Sequence, residues 1–350
     1  MFTKVPARLA SVIALLAGVS VSLPTHAEDA ASFFKGKTVT INIGSSPGGG
    51  LDTYGRLVAR HFGKHIPGNP SVVPSNLPGA GGNIVASRIY NIAVKDGTQI
   101  GLPFPSTLVE PLLNEGGRKE YDPNKFNYIG SAHAETLVCL MRADAPVKTP
   151  QDLRTTEVII GATAPGSTTA DFPAMTNGVL GTKMKIIPGY KGSRDVTLAM
   201  ETGEVQGICG LGWSTVKVQY PDVLKGNMFA RVFAQEDMEG HPELNKLGVP
   251  LMISLANSDE DRQAMQMFYG QNEFARPFIL PPGVPAERVQ VLRQAFAATM
   301  KDPELLAEAQ KINIDVEPRT GEQVQELVAK MYETPPDVIE RVKKALGRHK

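Results

Sequence analysis

The sequence predicts an α/β protein with mostly parallel sheets, and three observations carry that expectation. Short apolar runs of strand character alternate with amphipathic helical stretches along nearly the whole chain. Two glycine-rich loops, around residues 44–50 and 78–82, each fall where a strand gives way to a helix, the connection expected at one edge of a parallel sheet. Beyond an N-terminal leader, 350 − 27 = 323 residues remain, enough chain for two lobes with substantial cores.

Residues 1–27 read as a secretory signal. Lys4 and Arg8 supply a positive start, residues 9–23 an apolar stretch interrupted by small residues, and Thr25-His26-Ala27 a small-x-small site, so cleavage is expected near Ala27. The stretch is shorter than the ~20 apolar residues a spanning helix needs, and no nearby cysteine offers a lipid anchor. The whole chain carries 36 basic and 36 acidic residues; without Lys4 and Arg8 the balance is 34 against 36, or −2 with neutral histidines. That balance gives no support to a nucleic acid or an anionic membrane as partner.

The first strand is Val39-Thr40-Ile41-Asn42-Ile43, which alternates apolar and polar residues. The loop Gly44-Ser45-Ser46-Pro47-Gly48-Gly49-Gly50 follows. Then Tyr54, Leu57, Val58, His61 and Phe62 take the spacing of one helix face. Glycine at such a junction permits positive φ, Gly49 included, and leaves main-chain N–H groups uncovered. The helix N-terminus adds free donors and a positive dipole end, so the natural guest is an anion. The second loop repeats the design: Val72-Val73-Pro74-Ser75-Asn76, then Pro78-Gly79-Ala80-Gly81-Gly82, then a helix with Ile84, Val85, Ile89 and Ile92. Two such loops from neighbouring strands place two amide nests at one sheet edge.

Other glycine motifs fit poorly. A Walker loop ends in Gly-Lys-Ser/Thr, yet no lysine occurs between Lys37 and Lys64; a dinucleotide fingerprint beginning at Gly79 needs glycine where Ile84 stands. Gly44-Ser45-Ser46-Pro47-Gly48 matches the G-x-S-x-G nucleophile elbow, but the residue after Ser46 is a proline with no N–H for an oxyanion hole.

Further along, residues 99–102 are a strand, and Ser106 is placed to cap a short helix to residue 113. Residues 137–141 form an apolar strand, and 158–161, 184–187, 205–209 and 229–233 read as strands of a second sheet, with helices over 170–180 and 193–202 among them. Hydroxyl- and glycine-rich turns follow these strands: one holds Thr163, Ser167 and Thr168, another Tyr190, a third the only tryptophan, Trp213. Residues 277–280 are a buried strand. The tail is helical, with Val289, Leu292, Phe296 and Met300 on one face and a capping box at Thr320 and Gln323.

Taken in order, Pro47-Gly48-Gly49-Gly50-Leu51-Asp52, Pro78-Gly79-Ala80-Gly81-Gly82-Asn83, Asp96-Gly97-Thr98, Tyr190-Lys191-Gly192 and the segment 281–296 resemble the periplasmic substrate-binding proteins of tripartite tricarboxylate transporters, the Bug-type receptors. The resemblance runs from about residue 35 to 328. It implies a two-lobed, type II periplasmic-binding fold closing on a small carboxylate held by backbone amides and ordered waters, a periplasmic location, and integral-membrane transporter subunits as partners of a monomeric receptor. One departure is the Gly44-Ser45-Ser46 stretch, where the family often carries an aromatic or aliphatic residue.

Nest argument and resemblance together give the candidate ligand-binding set: Ser45, Ser46, Gly48, Gly49, Gly50 and Asp52 from the first loop, Gly79, Ala80, Gly81 and Gly82 from the second, Ser106, and across the cleft Thr163, Ser167, Thr168 and Tyr190. Lobe 1 is expected to comprise residues 33–136 and 273–350, and lobe 2 residues 137–272, with crossings near 136–141 and 276–280. No catalytic residue, metal or cofactor is expected. His61 and His65 lie one turn apart but lack the Glu of H-E-x-x-H and an obvious third ligand. The alternatives are an exported serine hydrolase using Ser46 and a receptor reporting to a membrane sensor. In the type II fold the strand after the first crossing runs antiparallel beside the third strand of the second lobe. That makes Cys139 and Cys209 neighbours, either bridged or a pair of buried thiols.

Overall fold

The alternation of strands and helices resolves into two sheets with helices on their faces. The computed structural model describes residue 1 and residues 30–114, 120–225 and 229–348; the rest of the expected signal segment lies outside the described residues. β1 (Thr38–Ile43) buries Val39, Ile41 and Ile43, as its alternation predicts. It pairs in parallel with β2 (Ser71–Asn76) and β3 (Gln99–Leu102). β10 (Pro277–Leu280) enters antiparallel between β3 and β4 (Asn127–Ser131), and the two-residue β11 (Arg319–Thr320) closes the far edge. The first sheet thus has six strands in the order β11-β4-β10-β3-β1-β2.

The second sheet has five strands, β7-β6-β8-β5-β9. Its members are β5 (Leu137–Arg142), β6 (Val158–Gly161), β7 (Met184–Ile187), β8 (Gly207–Gly212) and β9 (Ala230–Glu236). β6 runs parallel to β7 and β8, whereas β5 is antiparallel to both β8 and β9. β8 begins two residues later than the sequence pattern indicates, and β4 has no counterpart in that pattern.

The first sheet's outer face is covered by α2 (Gly50–Phe62), α10 (Ala286–Thr299) and α11 (Pro303–Lys311), which share an apolar cluster with β1 and β3. A larger cluster starts at α3 (Asn83–Asn91) and α4 (Pro105–Leu113). It passes through α12 (Gly321–Tyr332) and continues into α5 (Thr168–Leu180), α9 (Asp259–Tyr269) and the second sheet. The capping box forms, with Gln323 N donating to Thr320 Oγ1 at 3.2 Å and Thr320 N to Gln323 Oε1 at 2.8 Å. The last helix, α13 (Pro336–Ala345), departs from the expected division. It packs on α5 and α9 as well as on α4, and Gly178 admits it, since a Cβ there would stand 2.4 Å from Ala345 Cα. Beyond α13, Arg348 bridges Glu110 of α4 at 2.7 Å and Asp171 of α5 at 2.8 Å.

Among the described residues two connections carry the chain between the sheets, β4 to β5 and β9 to β10. They are stitched together: Arg276 N donates to Ser131 Oγ, and Ala132 N to Arg276 O, each at 3.1 Å. No helix among the described residues is long and apolar enough to cross a membrane.

Cys139 on β5 and Cys209 on β8 form a disulfide with an S–S distance of 2.01 Å. Their strands are antiparallel neighbours, and both residues fall in the interval where the β5–β8 register shifts. A bridge across 70 residues restricts the unfolded chain by about 4 kcal/mol on the loop-entropy scale. Thiol titration of the denatured, unreduced protein is therefore expected to find none, and reduction to lower the urea midpoint clearly; two titratable thiols would show that the bridge does not form.

Candidate functional site

The two glycine loops meet at the edge of the first sheet. A Cβ on Gly44 would stand 3.4 Å from the Cα of Gly82, so the loops touch through their backbones. In the first, Gly48 takes φ +86°, and Gly49 takes φ −84° as N-cap of α2. The positive angle expected at Gly49 is thus found one residue earlier. Asp52 points inward and braces the loop. Its carboxylate accepts from Gly48 N at 2.9 Å, from Arg56 Nε at 2.9 Å and from Asn76 Nδ2 at 2.7 Å, while Asn76 also donates to Ser45 O. Burial alone would raise the Asp52 carboxyl, but the bonds from Arg56, Gly48 and Asn76 outweigh it and hold the group below its ordinary value. The amides of Gly49 and Gly50 make no hydrogen bond among the described residues, and Ser45 Oγ is buried without a partner. Ser46 is exposed.

The second loop is left-handed throughout: Gly79, Ala80, Gly81 and Gly82 have φ of 134°, 46°, 62° and 95°. Ala80 bears the usual cost of about 1–2 kcal/mol for that conformation. Thr107 Oγ1 of α4 holds the turn by donating to Gly81 O at 3.2 Å. Ser106 lies inside α4, which starts at Pro105 with Phe104 as N-cap, so its expected capping role is not found.

The second sheet presents a loop opposite, after β6. A Cβ on Gly81 would lie 3.6 Å from Gly166 O, so the two sides approach closely. The brace recurs there: Gly166 N donates to Asp171 Oδ1 at 3.1 Å, as Gly48 N does to Asp52. Thr163, Ser167 and Thr169 form a hydroxyl triangle of 2.7, 2.8 and 3.1 Å. Ser167 is the N-cap of α5, and Thr168 Oγ1 is turned away to Gly210 O at 2.7 Å. Tyr190 is likewise occupied, donating to Glu204 Oε1 at 2.6 Å, and burial with the Glu204 carboxylate pushes its hydroxyl up to about 12. The structure therefore brings together the first loop, the second loop and the Thr163–Ser167 turn, and engages Asp52, Thr168 and Tyr190 in internal contacts.

The sequence reading missed a buried polar cluster at the crossings. Glu135 accepts from Arg276 Nη2 at 2.7 Å, from Ser214 N at 3.0 Å and from Ser214 Oγ. Burial would raise its carboxyl, but His133, Arg276 and Ser214 more than offset that and hold it at about 2. Tyr54 stacks on His133 at 5.6 Å and donates to Asp315 O at 2.7 Å, and Asp315 in turn pairs with Lys217 of lobe 2. The only hint in the sequence is a lone arginine at the lip of the apolar 277–280 strand.

His61 and His65 do meet carboxylates. His61 Nε2 lies 2.8 Å from Glu308 Oε2 and His65 Nε2 2.7 Å from Asp302 Oδ2. Lys64 Nζ reaches Asp302 at 2.6 Å and Glu304 at 2.5 Å, so the group reads as ion pairs tying α2 to α11.

Neither a scan against protein-family models nor a search of curated proteins gives a match. Solved structures do match. A TctC solute-binding protein from Polaromonas is 21% identical over 87% of this chain and 98% of its own, with a TM-score of 0.62. The periplasmic binding protein BugD is 21% identical, over 88% of this chain and 97% of its own, at 0.65. MatC from Rhodopseudomonas palustris, solved with bound malate, is 19% identical over 87% of this chain and 99% of its own, at 0.65. A second R. palustris protein, with adipate, is also 19% identical, over 87% and 97%, at 0.65. These likenesses show the fold: the chain adopts the two-lobed type II periplasmic-binding architecture.

Behind the lobe 2 loop, Glu236 is fully buried. One oxygen accepts from Gly210 N at 2.5 Å and the other has no partner. Burial pushes its carboxyl up to about 8, only partly relieved by the Gly210 N–H. The unfolded chain releases this proton near the ordinary value of 4.5 and the folded chain keeps it until about 8, so stability falls as pH rises across that window. Glu236→Gln, which retains an acceptor for Gly210, should match the native protein at pH 5. It should exceed it at pH 8 by on the order of a few kcal/mol in urea unfolding; equal midpoints at both pH values would contradict the buried neutral acid.

Proposed function

We propose that the chain is an exported receptor that captures a small carboxylate between its lobes and delivers it, from the periplasm, to the integral-membrane subunits of a tripartite tricarboxylate-type transporter. The observation that carries this reading is the pair of glycine loops in backbone contact, with unpartnered amides at Gly49 and Gly50, facing the N-terminus of α5 across the cleft. Free N–H groups and the positive ends of α2 and α5, each of 13 residues, stabilise an anion without a dedicated cation. The ligands in the malate- and adipate-bound neighbours belong to the same chemical class.

In this reading Ser45, Ser46, the glycines of both loops and Ala80 hold the ligand from lobe 1, with Thr163 and Ser167 opposite. Lobe 1 comprises residues 33–136 and 273 to the end of α12, lobe 2 residues 137–272, and the tail beyond α12 straps one to the other. Closure about the two stitched crossings makes the form that membrane subunits recognise. The receptor works as a monomer and performs no chemistry: Ser46 is followed by Pro47, and no histidine hydrogen-bonds to it among the described residues.

Malate, adipate and a panel of mono- to tricarboxylates should be screened for thermal stabilisation. A true ligand adds about 2.7 kcal/mol at a hundredfold excess over Kd, and its uncharged diamide none. A flat response across the panel would remove the carboxylate reading. Turnover of model esters abolished in Ser46→Ala would favour the exported hydrolase instead.

A further inference from the structure

The glycine loops do not use an ion pair that is buried near them. Glu135 lies in the first crossing and Arg276 in the second, so each passage between the lobes brings one charge to the same point. Their side chains are 1% and 10% exposed. Glu135 is saturated by Arg276 and Ser214 and cannot turn elsewhere without leaving an unpaired buried charge. Arg276 is not saturated. Nη2 donates to Glu135, Nη1 donates to Ala275 O at 2.9 Å, and the buried Nε has no partner. The guanidinium rests 5.0 Å from the Tyr54 ring centroid, fixed on that side as well.

Its position relative to the first loop gives this spare capacity a use. A Cβ on Gly50, the first residue of α2, would stand 3.5 Å from Arg276 Nη2 and 2.8 Å from Thr215 Oγ1. A side chain at position 50 would thus fill the space between the helix N-terminus and the guanidinium. Glycine there lets the helix N-terminus sit directly against Thr215 Oγ1 and the guanidinium.

We propose that Arg276 is a specificity-determining residue of the carboxylate site, with Glu135 as its positioning residue. The inference rests on the carboxylate reading and narrows it. Paired with Glu135, the arginine adds no net charge to the cleft, so its contribution is oriented donors. A planar fork suits a planar carboxylate better than a tetrahedral anion. The ligand carboxylate docks on the free amides of α2 and is turned by the guanidinium.

Calorimetric titration of malate, adipate and sulfate into the full-length protein and its Arg276→Lys, Arg276→Gln and Glu135→Gln variants tests this, with folding checked by circular dichroism. Both Arg276 variants should lose at least about tenfold in affinity for the carboxylate that binds, the scale of one charge-assisted hydrogen bond. Lysine should not rescue, because charge without the fork is insufficient. Glu135→Gln should weaken binding less than Arg276→Gln. Native affinity in a folded Arg276 variant would overturn the proposal and leave the pair a purely structural device. If the native protein binds no carboxylate, the function reading fails and the proposal with it, whereas native carboxylate binding that persists unchanged in the folded Arg276 variants overturns the proposal alone; sulfate should bind more weakly than the carboxylate. Should the variants not fold, the Nε–H resonance of Arg276 in the native protein serves, since it must move on addition of malate or adipate, and an unmoved signal contradicts the contact.

Discussion

The candidate site depends on backbone that side chains tolerate only at a cost. Residues 79 to 82 all take positive φ, and the first loop comes within 3.4 Å of the second, measured from a Cβ built on Gly44 to the Gly82 Cα. Cβ atoms at the glycines among these positions would strain the turn or hold the loops apart, and either change would bury or misdirect the amides. Once the loops are in place the rest follows cheaply. Asp52 and Asp171 each tie a glycine amide back to the helix that follows, so both lobes brace their loops with an internal carboxylate and leave other amides free. The helices add their dipoles behind the same amides.

The relation between the lobes is fixed by a different kind of contact. The crossings hydrogen-bond to one another, Glu135 and Arg276 lock them in charge, and Glu135 also grips Ser214 at the start of a lobe 2 helix. Asp315 carries the linkage to the other side through Tyr54 and Lys217. The tail adds an apolar strap, since α13 packs on α5, α9 and α4 together while α12 stays on the first sheet. The polar joint and the apolar strap together hold the two lobes in one relative geometry.

How much of this was legible in the sequence differs by element, and the reasons are physical. β1, β5 and β10 announce themselves because a strand buried on both faces needs a continuous or alternating apolar run. β4 does not, since Asn127-Tyr128-Ile129-Gly130-Ser131 offers only two apolar side chains and becomes a strand because β10 and β11 flank it. The glycine loops were legible as loops, but composition cannot say that Gly48 and not Gly49 takes the left-handed angle. Asp52 looks like a ligand residue in sequence, and only the fold reveals that its acceptors are spent on Gly48, Arg56 and Asn76. The Glu135–Arg276 pair joins residues 141 apart, a distance over which no local pattern carries information. The tail reads as helical, yet nothing in its own pattern names the surface that α13 covers.

The claim at the centre of this account is that backbone amides, and no catalytic side chain, receive the ligand. Amide-resolved NMR of the full-length protein during titration with malate and with adipate tests it most directly. The N–H signals of Gly49, Gly50, Ala80 and Gly81 should move together and saturate at one concentration. Saturable binding that leaves those four amides unmoved, with the shifts gathered on another surface, would contradict it.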